Sequence, residues 1–243
     1  MANLTQLRML EDLDGFLLVD KPEGLPFTTV VKTVKRNFNL VKVGHGGSLD
    51  ALASGLLVLL LNDANKFVDR VMGADRAYEG TFRLGRKTNT GDVRGTPVGA
   101  PCADASFAAF RAALDRALPR FRGDVFQVEP RYCTVRKEGS SDYEIADTGE
   151  HRPFLAHVYR LDVAPSEAAG DMAAFALVAS KGLIVRSLVD DLGDAVGCGA
   201  ALSSVRRTRI GRFDVADAVP FQKLLETDIR DFAALVRPIA QVL

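Results

Sequence analysis

Residues 44–61, which read GHGGSLDALASGLLVLLL, decide the fold of this chain. The glycines of this stretch allow positive φ angles and let the backbone approach a ligand closely. A single carboxylate, Asp50, precedes the apolar run at residues 56–61, so the sequence predicts a lone acid at the rim of a buried element. Spacing alone leaves two interpretations open: Asp50 caps a short helix through residues 51–54, or it takes part in catalysis.

The composition is that of a globular protein with a substantial core, because 47% of the residues are hydrophobic and 26% are charged. No apolar run is long enough to span a bilayer, and the first residues lack the layout of a signal peptide, so we expect no membrane association. The three cysteines show no metal-ligand spacing, which favours a reducing, cytoplasmic setting and no metal site.

The charges balance, with 31 Lys and Arg against 31 Asp and Glu, so bulk electrostatics does not indicate a nucleic-acid-binding protein. Local basic clusters are nevertheless compatible with phosphate contacts, although such runs are more often solvated surface. The clusters are Lys32, Lys35, Arg36 and Lys42; Arg83, Arg86 and Lys87; and Arg206, Arg207, Arg209 and Arg212.

The periodicity of apolar residues and the turn signals predict the main elements. In chain order these are a strand over residues 15–20, a turn at 21–24, a helix from Thr28, a strand over 75–85, a polar loop at 88–95, a helix over 104–118, strands over 154–163 and 172–180, and a helix after Gly182. The first helix is predicted to turn Val30, Val31 and Val34 inward and its basic residues outward, and the second to begin at a cap, Asp104 or Ser106. In that last helix the apolar stripe consists of Ile184, Leu188, Leu192 and Val196, and Arg186 falls opposite it, toward solvent or a cleft.

Residues 44–55 resemble, without a gap, the catalytic loop of the bacterial TruB-type tRNA pseudouridine synthases, usually Gly-His-Thr-Gly-Thr-Leu-Asp-Pro-Leu-Ala-Thr-Gly. The resemblance extends over residues 15–213, and its further motifs lie at residues 15–24, 75–85, 88–95, 127–139, 180–193 and 197–211. The chain departs from the family pattern at Glu129, Cys133, Thr134, Arg136, Ile184 and Val205.

The resemblance implies catalytic roles for Asp50, Tyr78 and Arg186. Asp50 would be the essential carboxylate, Arg186 would pair with it and hold it ionised, and Tyr78 would stack on the uracil and act in proton transfer. The positions implied for substrate binding are Lys21, His45, Gly46, Leu49, Asp92, Lys181, Ile184 and Val205. Ile184 stands where the family usually has Tyr, so a contact with the substrate is lost there.

Plain structural interpretations stand beside these roles. Lys21 would be a solvated turn residue, Tyr78 a core aromatic and His45 an incidental surface residue. Arg186 would form a pair along its helix with Asp190, worth a few tenths of a kcal/mol.

The resemblance also implies an α+β fold, with a mixed, mostly antiparallel central sheet flanked by helices and loops and a catalytic cleft across the sheet. We expect residues 1–243 to form a single catalytic domain without a separate C-terminal PUA domain. The implied reaction converts the T-loop uridine of tRNA, uridine-55, to pseudouridine, without a metal or redox cofactor. The implied partner is the T-arm stem-loop of tRNA, and we expect a monomer.

Two rival functions remain at this stage. The first is a catalytically inactive RNA-binding or ribosome-assembly protein of the same fold, which the intact Asp50, Tyr78 and Arg186 argue against. The second is an enzyme acting on nucleotide phosphates, suggested by the glycine-rich loop alone. Residues 44–48 lack the Gly-Lys-Ser/Thr ending of a P-loop, so this rival ranks last.

Overall fold

The structure, a computed structural model, describes residues 13–100, 102–128, 132–136, 143–147 and 153–242. Glu129 and the side chains at positions 133, 134 and 136, where the chain departs from the family pattern, lie outside this description. Within the described ranges the strands are β1 (Gly15–Lys21), β2 (Val43–His45), β3 (Ser54–Leu61), β4 (Arg76–Leu84), β5 (Lys87–Thr88), β6 (Pro97–Val98), β7 (Gly123–Val128), β8 (Tyr132–Arg136), β9 (Tyr143–Asp147), β10 (Pro153–Pro165), β11 (Met172–Ala179), β12 (Ala200–Ile210), β13 (Phe213–Asp214) and β14 (Val219–Pro220).

The helices are shorter and lie between groups of strands. In the same ranges the α-helices are α1 (Phe27–Asn37), α2 (Val68–Met72), α3 (Phe107–Ala117), α4 (Val185–Val196), α5 (Phe221–Glu226) and α6 (Ile239–Val242). The 3-10 helices are Asn62–Phe67, Leu118–Phe121, Val215–Asp217 and Phe232–Leu235. None of the helices in the described part of the chain is long and apolar enough to cross a membrane.

The chain divides into two compact units. The first comprises Met1–Ala74 and Arg206–Leu243, and the second comprises Asp75–Val205. The boundary falls within β12, so the first part of that strand belongs to the second unit and its last residues belong to the first.

The first unit is built on β3. This strand pairs antiparallel with the whole of β1, from Gly15 opposite Leu61 to Lys21 opposite Gly55. Residues 206 and 207 of β12 run parallel to the start of β3, and β14 runs parallel to β1 on the other side. Residues 56–61 are fully buried, which explains why β3 is continuously apolar instead of alternating. The predicted buried element is therefore a strand.

The core of the first unit lies against one face of β1 and β3. Its members come from these strands, from the segment after β3, from the end of β12 and from β13: Phe16, Leu18, Leu56, Val58, Leu60, Ala64, Val71, Ile210 and Phe213. Helix α1 buries Phe27, Val30 and Val34, and its basic residues face outward as predicted, whereas Val31 is only half-buried. Burial at this helical spacing fixes the face that α1 packs inward.

In the second unit, neighbouring strands follow the order β12, β4, β11, β10, β7, so strands distant along the chain lie side by side. Strand β11 pairs antiparallel with β4 and with β10, and β10 pairs antiparallel with β7. Helix α3 begins at the predicted cap, where the Ser106 hydroxyl accepts a hydrogen bond from the Ala109 N–H at 3.2 Å. Helix α4 buries Leu188, Leu192 and Val196 of the predicted stripe, whereas Ile184 precedes the helix and is only half-buried. Antiparallel pairs predominate, and helices accompany the sheets, so the α+β prediction is confirmed.

Candidate active site

Asp50 lies half-buried on a loop that crosses from β2 to β3. Its carbonyl accepts a hydrogen bond from the Ala53 N–H at 3.0 Å, and β3 begins at the next residue, Ser54. The alternative in which Asp50 caps a helix through residues 51–54 is therefore wrong. Leu52 and Ala53 are buried, so packing directs this segment into the sheet rather than into a helical turn.

The glycines of the loop are required by close packing. A Cβ atom on Gly46 would lie 2.3 Å from Cγ1 of Val71, and one on Gly44 would lie 2.0 Å from Oδ1 of Asn65. Gly46 also donates a backbone hydrogen bond to the Val58 carbonyl at 2.8 Å. Leu49, which precedes Asp50, is buried. The loop thus packs directly on the core of the first unit.

Lys21 ends β1 and is fully buried. Its ammonium donates to the carbonyls of Pro22 and Leu25, both at 2.8 Å. Burial lowers the pKa of Lys21 to about 8; the charge of Asp50 opposes this shift and that of Arg207 adds to it. The interpretation of Lys21 as a solvated turn residue is wrong, because its ammonium is buried and is bound by one carbonyl within the turn and one just after it.

His45 precedes the loop at the end of β2 and is half-buried, so it is not an incidental surface residue. Its ring packs against that of Phe27, with 4.9 Å between the ring centroids. Burial lowers the pKa of His45 below its ordinary 6.5, and the nearby charge of Arg207 lowers it further. The imidazole is therefore neutral at pH 7.

Arg207 is a site residue that the sequence analysis missed. It belongs to a basic run that resembles solvated surface, yet it is only 2% exposed. Its neighbour Arg206 forms a two-point ion pair with Asp20, at 2.9 and 2.7 Å. The signal that could have found Arg207 is the alternation along β12, in which Val205 and Arg207 share the buried side.

In the second unit, Arg186 lies in the first turn of α4 with its side chain only 13% exposed. It does not face open solvent: its Nη1 donates to the Thr90 carbonyl at 3.2 Å and lies 3.9 Å from Oδ2 of Asp92. Asp190, the partner in the alternative interpretation, forms an ion pair with Lys87 at 3.1 Å. Arg186 therefore packs on the polar loop predicted at residues 88–95.

Asp92 organises that loop. Its Oδ1 accepts a hydrogen bond from the Arg94 N–H at 3.0 Å, and its carbonyl accepts one from the Thr88 hydroxyl at 2.7 Å. The loop is also joined to β12, because the Val93 N–H donates to the Leu202 carbonyl at 2.9 Å. These contacts hold the surface on which Arg186 rests.

The remaining predicted residues of the second unit differ in burial. Tyr78 is half-buried on β4, unlike Phe82 and Leu84 farther along the strand, so it is not a core aromatic. Lys181 is exposed in the turn after β11, and Val205 is buried on β12.

Ile184 is half-buried at the start of α4. Its backbone N–H and carbonyl are both hydrogen-bonded by the side chain of Gln127, which is 1% exposed. The sequence analysis gave Gln127 no such role.

The predicted residues therefore form two groups. Lys21, His45, Gly46, Leu49 and Asp50 belong to the first unit; Tyr78, Asp92, Lys181, Ile184, Arg186 and Val205 belong to the second. The pairing of Asp50 with Arg186 stays a prediction. Among the residues that the structure describes, no three His, Cys, Asp or Glu side chains are grouped to hold a metal ion.

Comparison with known proteins identifies the family. The TruB family pseudouridylate synthase N-terminal domain matches residues 35–185, and the tRNA pseudouridylate synthase B C-terminal domain matches residues 186–243. The chain is 38% identical over 220 residues to the tRNA pseudouridine synthase B of Stutzerimonas stutzeri, covering 89% of this chain and 70% of the relative. It is 40% identical over 214 residues to the protein of the same name from Burkholderia pseudomallei, covering 87% of this chain and 69% of the relative.

A solved structure shares the fold. A chain in the crystal structure of a Cbf5-Nop10-Gar1 complex matches with a TM-score of 0.65 and 25% identity. The match covers 96% of this chain but 62% of that one, so this chain spans less than two thirds of its length. The motif at residues 44–55 is thus accompanied by similarity along nearly the whole chain, and the chain belongs to the TruB family of pseudouridylate synthases.

Proposed function

We propose that this protein converts the T-loop uridine of tRNA, uridine-55, to pseudouridine, acting as a monomer in the cytoplasm. The observation that carries the proposal is the position of Asp50, a half-buried carboxylate on a tightly packed loop, in a chain whose relatives are named tRNA pseudouridine synthase B. The reaction needs one carboxylate held in a fixed place beside a nucleoside, and this loop supplies one.

The proposed reaction is an isomerisation, so nothing is gained or lost overall. The bond between N1 of uracil and C1′ of the ribose breaks, the uracil rotates, and C5 bonds to C1′. The proton on C5 is then lost and N1 acquires one. In this scheme Asp50 attacks C1′ or removes the proton from C2′. The target base has to leave its stack to reach the carboxylate, as in other enzymes that act on a nucleobase.

Two further residues are proposed to be catalytic, Arg186 through its positive charge and Tyr78 through proton transfer. Arg186 pairs with Asp50 and keeps it ionised and oriented. Its burial supports this role, because a guanidinium that is already ordered by Thr90 and Asp92 loses little freedom when it binds a carboxylate. Tyr78, half-buried on β4, stacks on the uracil and assists proton transfer at C5.

Substrate binding is proposed for residues that differ in chemistry. His45, neutral at pH 7, contacts the displaced RNA loop, and the exposed Lys181 contacts phosphate. Lys21 supplies a cation whose charge interacts with that of Asp50. Contacts with the substrate are also proposed for Gly46, Leu49, Asp92, Ile184 and Val205.

The test is to treat an unmodified tRNA transcript with the protein and to map pseudouridine by carbodiimide adduct and primer extension. We expect wild type to give a stop at uridine-55 and Asp50→Asn to give none. Asp63→Asn is the matched control, because Asp63 is an exposed acid on the 3-10 helix that follows β3. Equal product from wild type and Asp50→Asn would remove Asp50 from the mechanism. No product from wild type on any stem-loop RNA would favour the inactive RNA-binding protein.

A further inference from the structure

One buried side chain joins the two ends of the loop that carries Asp50. Arg207 donates from Nη1 to the Ser48 carbonyl at 2.8 Å and from Nη2 to the Gly47 carbonyl at 3.2 Å, just before Asp50. Its Nε donates to the Leu56 carbonyl at 2.9 Å, in the strand after the loop. The guanidinium therefore bridges the segment that enters the loop and the strand that leaves it.

The backbone of Arg207 is fixed on the same strand. Arg207 stands opposite Gly55 where β12 runs parallel to β3. Gly55 has a φ of +98°, and a Cβ atom there would lie 2.3 Å from the Arg207 carbonyl oxygen. Only glycine allows the two strands to approach so closely at this point. Arg207 is thus anchored through its main chain beside β3 and through its side chain on the loop.

Because Arg207 is buried, its guanidinium binds groups of the protein rather than RNA. Arg207 is 2% exposed, and a buried guanidinium requires partners for its donors. Backbone carbonyls supply three of these partners, so its side chain is not available to a phosphate. An arginine suits this task because its rigid fork presents donors in several directions, whereas a lysine ammonium is a compact point charge.

We propose that Arg207 is a positioning residue for the reaction: by bridging the carbonyls of Gly47, Ser48 and Leu56, it holds the loop so that the Asp50 carboxylate lies in its productive place. This inference rests on the proposed function and adds a residue to it. Arg207 touches neither the substrate nor the reacting atoms in this scheme, and it acts through the backbone on both sides of Asp50.

The test compares Arg207→Lys with Arg209→Lys, a matched control two residues along the same strand at an exposed position. Single-turnover rates on tRNA and the Kd for tRNA are measured for both. We expect Arg207→Lys to lower the rate constant by about 100-fold, the loss typical of a displacement of about 1 Å, while the Kd stays near that of wild type. Arg209→Lys should leave both values unchanged. Free guanidinium at a non-denaturing concentration should restore part of the rate of Arg207→Ala.

Amide hydrogen exchange provides a readout that does not depend on activity. In Arg207→Lys, exchange should accelerate across residues 46–53 and stay at the wild-type level in α3 and α4. A wild-type rate together with wild-type exchange would overturn the proposal. Accelerated exchange throughout the chain would also overturn it, because Arg207 would then only stabilise the fold. If wild type forms no pseudouridine, the proposed function fails, and exchange alone still decides whether Arg207 holds the loop.

Discussion

The side-chain amide of Gln127 hydrogen-bonds to both backbone groups of Ile184. Its Nε2 donates to the Ile184 carbonyl at 3.0 Å, and its Oε1 accepts from the Ile184 N–H at 2.9 Å. Gln127 lies on β7, and Ile184 immediately precedes α4, so one amide fixes where that helix begins. The first turn of α4 carries Arg186, and its direction therefore depends on this contact.

Gln127→Ala should destabilise the protein by about 2 to 3 kcal/mol, because it leaves a buried N–H and a buried carbonyl without their partner. Urea denaturation at pH 7 measures the loss. Gln222→Ala is the matched control: Gln222 is exposed, and its replacement should change stability by less than about 0.5 kcal/mol. Equal stability of the two variants would show that water replaces the amide of Gln127.

Periodicity was sufficient to predict β1, the β4 strand, the pair β10 and β11, and the buried stripe of α4. Each of these follows from a local pattern of apolar residues, and each is confirmed by burial or pairing. The cap of α3 at Ser106 was also predictable, because its partner lies three residues away.

Contacts between distant residues could not be predicted in this way. Gln127 and Ile184 are 57 positions apart, and no local pattern links an amide to a helix start that far along the chain. Lys21 was open to interpretation as a solvated residue because turns usually are exposed, whereas here the carbonyls of Pro22 and Leu25 receive its ammonium. The burial of Arg207 could not be predicted from the basic run, because the other three arginines of that run are exposed or half-buried.

Ile184→Tyr should strengthen substrate binding, because the ring could stack on a base of the T-loop. One such contact is worth about 1 kcal/mol or more, or at least about fivefold in Kd. Filter binding of a T-arm stem-loop measures the change. Ile184→Leu is the control, since it keeps the apolar volume and adds no ring. A Kd for Ile184→Tyr that equals the Kd for Ile184→Leu would place position 184 away from the bound RNA.

The pKa of Lys21 predicts an unusual dependence of stability on pH. The lysine has a pKa of about 8 in the folded protein against 10.5 when unfolded, so between these values the unfolded chain binds more protons than the folded one. Over this pH range the free energy of unfolding therefore increases as the pH rises. The cost of burying the charged ammonium is fully present below pH 8 and is relieved as the pH rises to 10.5, by about 3 kcal/mol in total.

The measurement is urea denaturation of wild type and Lys21→Met at pH 8 and at pH 10.5. The stability of wild type should rise relative to that of the variant across this interval. Lys66→Met is the control, because Lys66 is exposed and its pKa is raised by Asp63. Parallel pH profiles of wild type and Lys21→Met would mean that water reaches the ammonium.

The charge of Asp50 provides the last prediction. Because this carboxylate raises the pKa of Lys21 against the effect of burial, Asp50→Asn should lower that pKa further, below about 8. The 15N chemical shift of the Lys21 Nζ, followed against pH, measures the change. Glu23→Gln should act in the same direction with a smaller effect, since its charge contributes least to the shift. An unchanged pKa of Lys21 in Asp50→Asn would mean that the carboxylate points away from the ammonium, and Lys21 would then have no electrostatic part in the reaction.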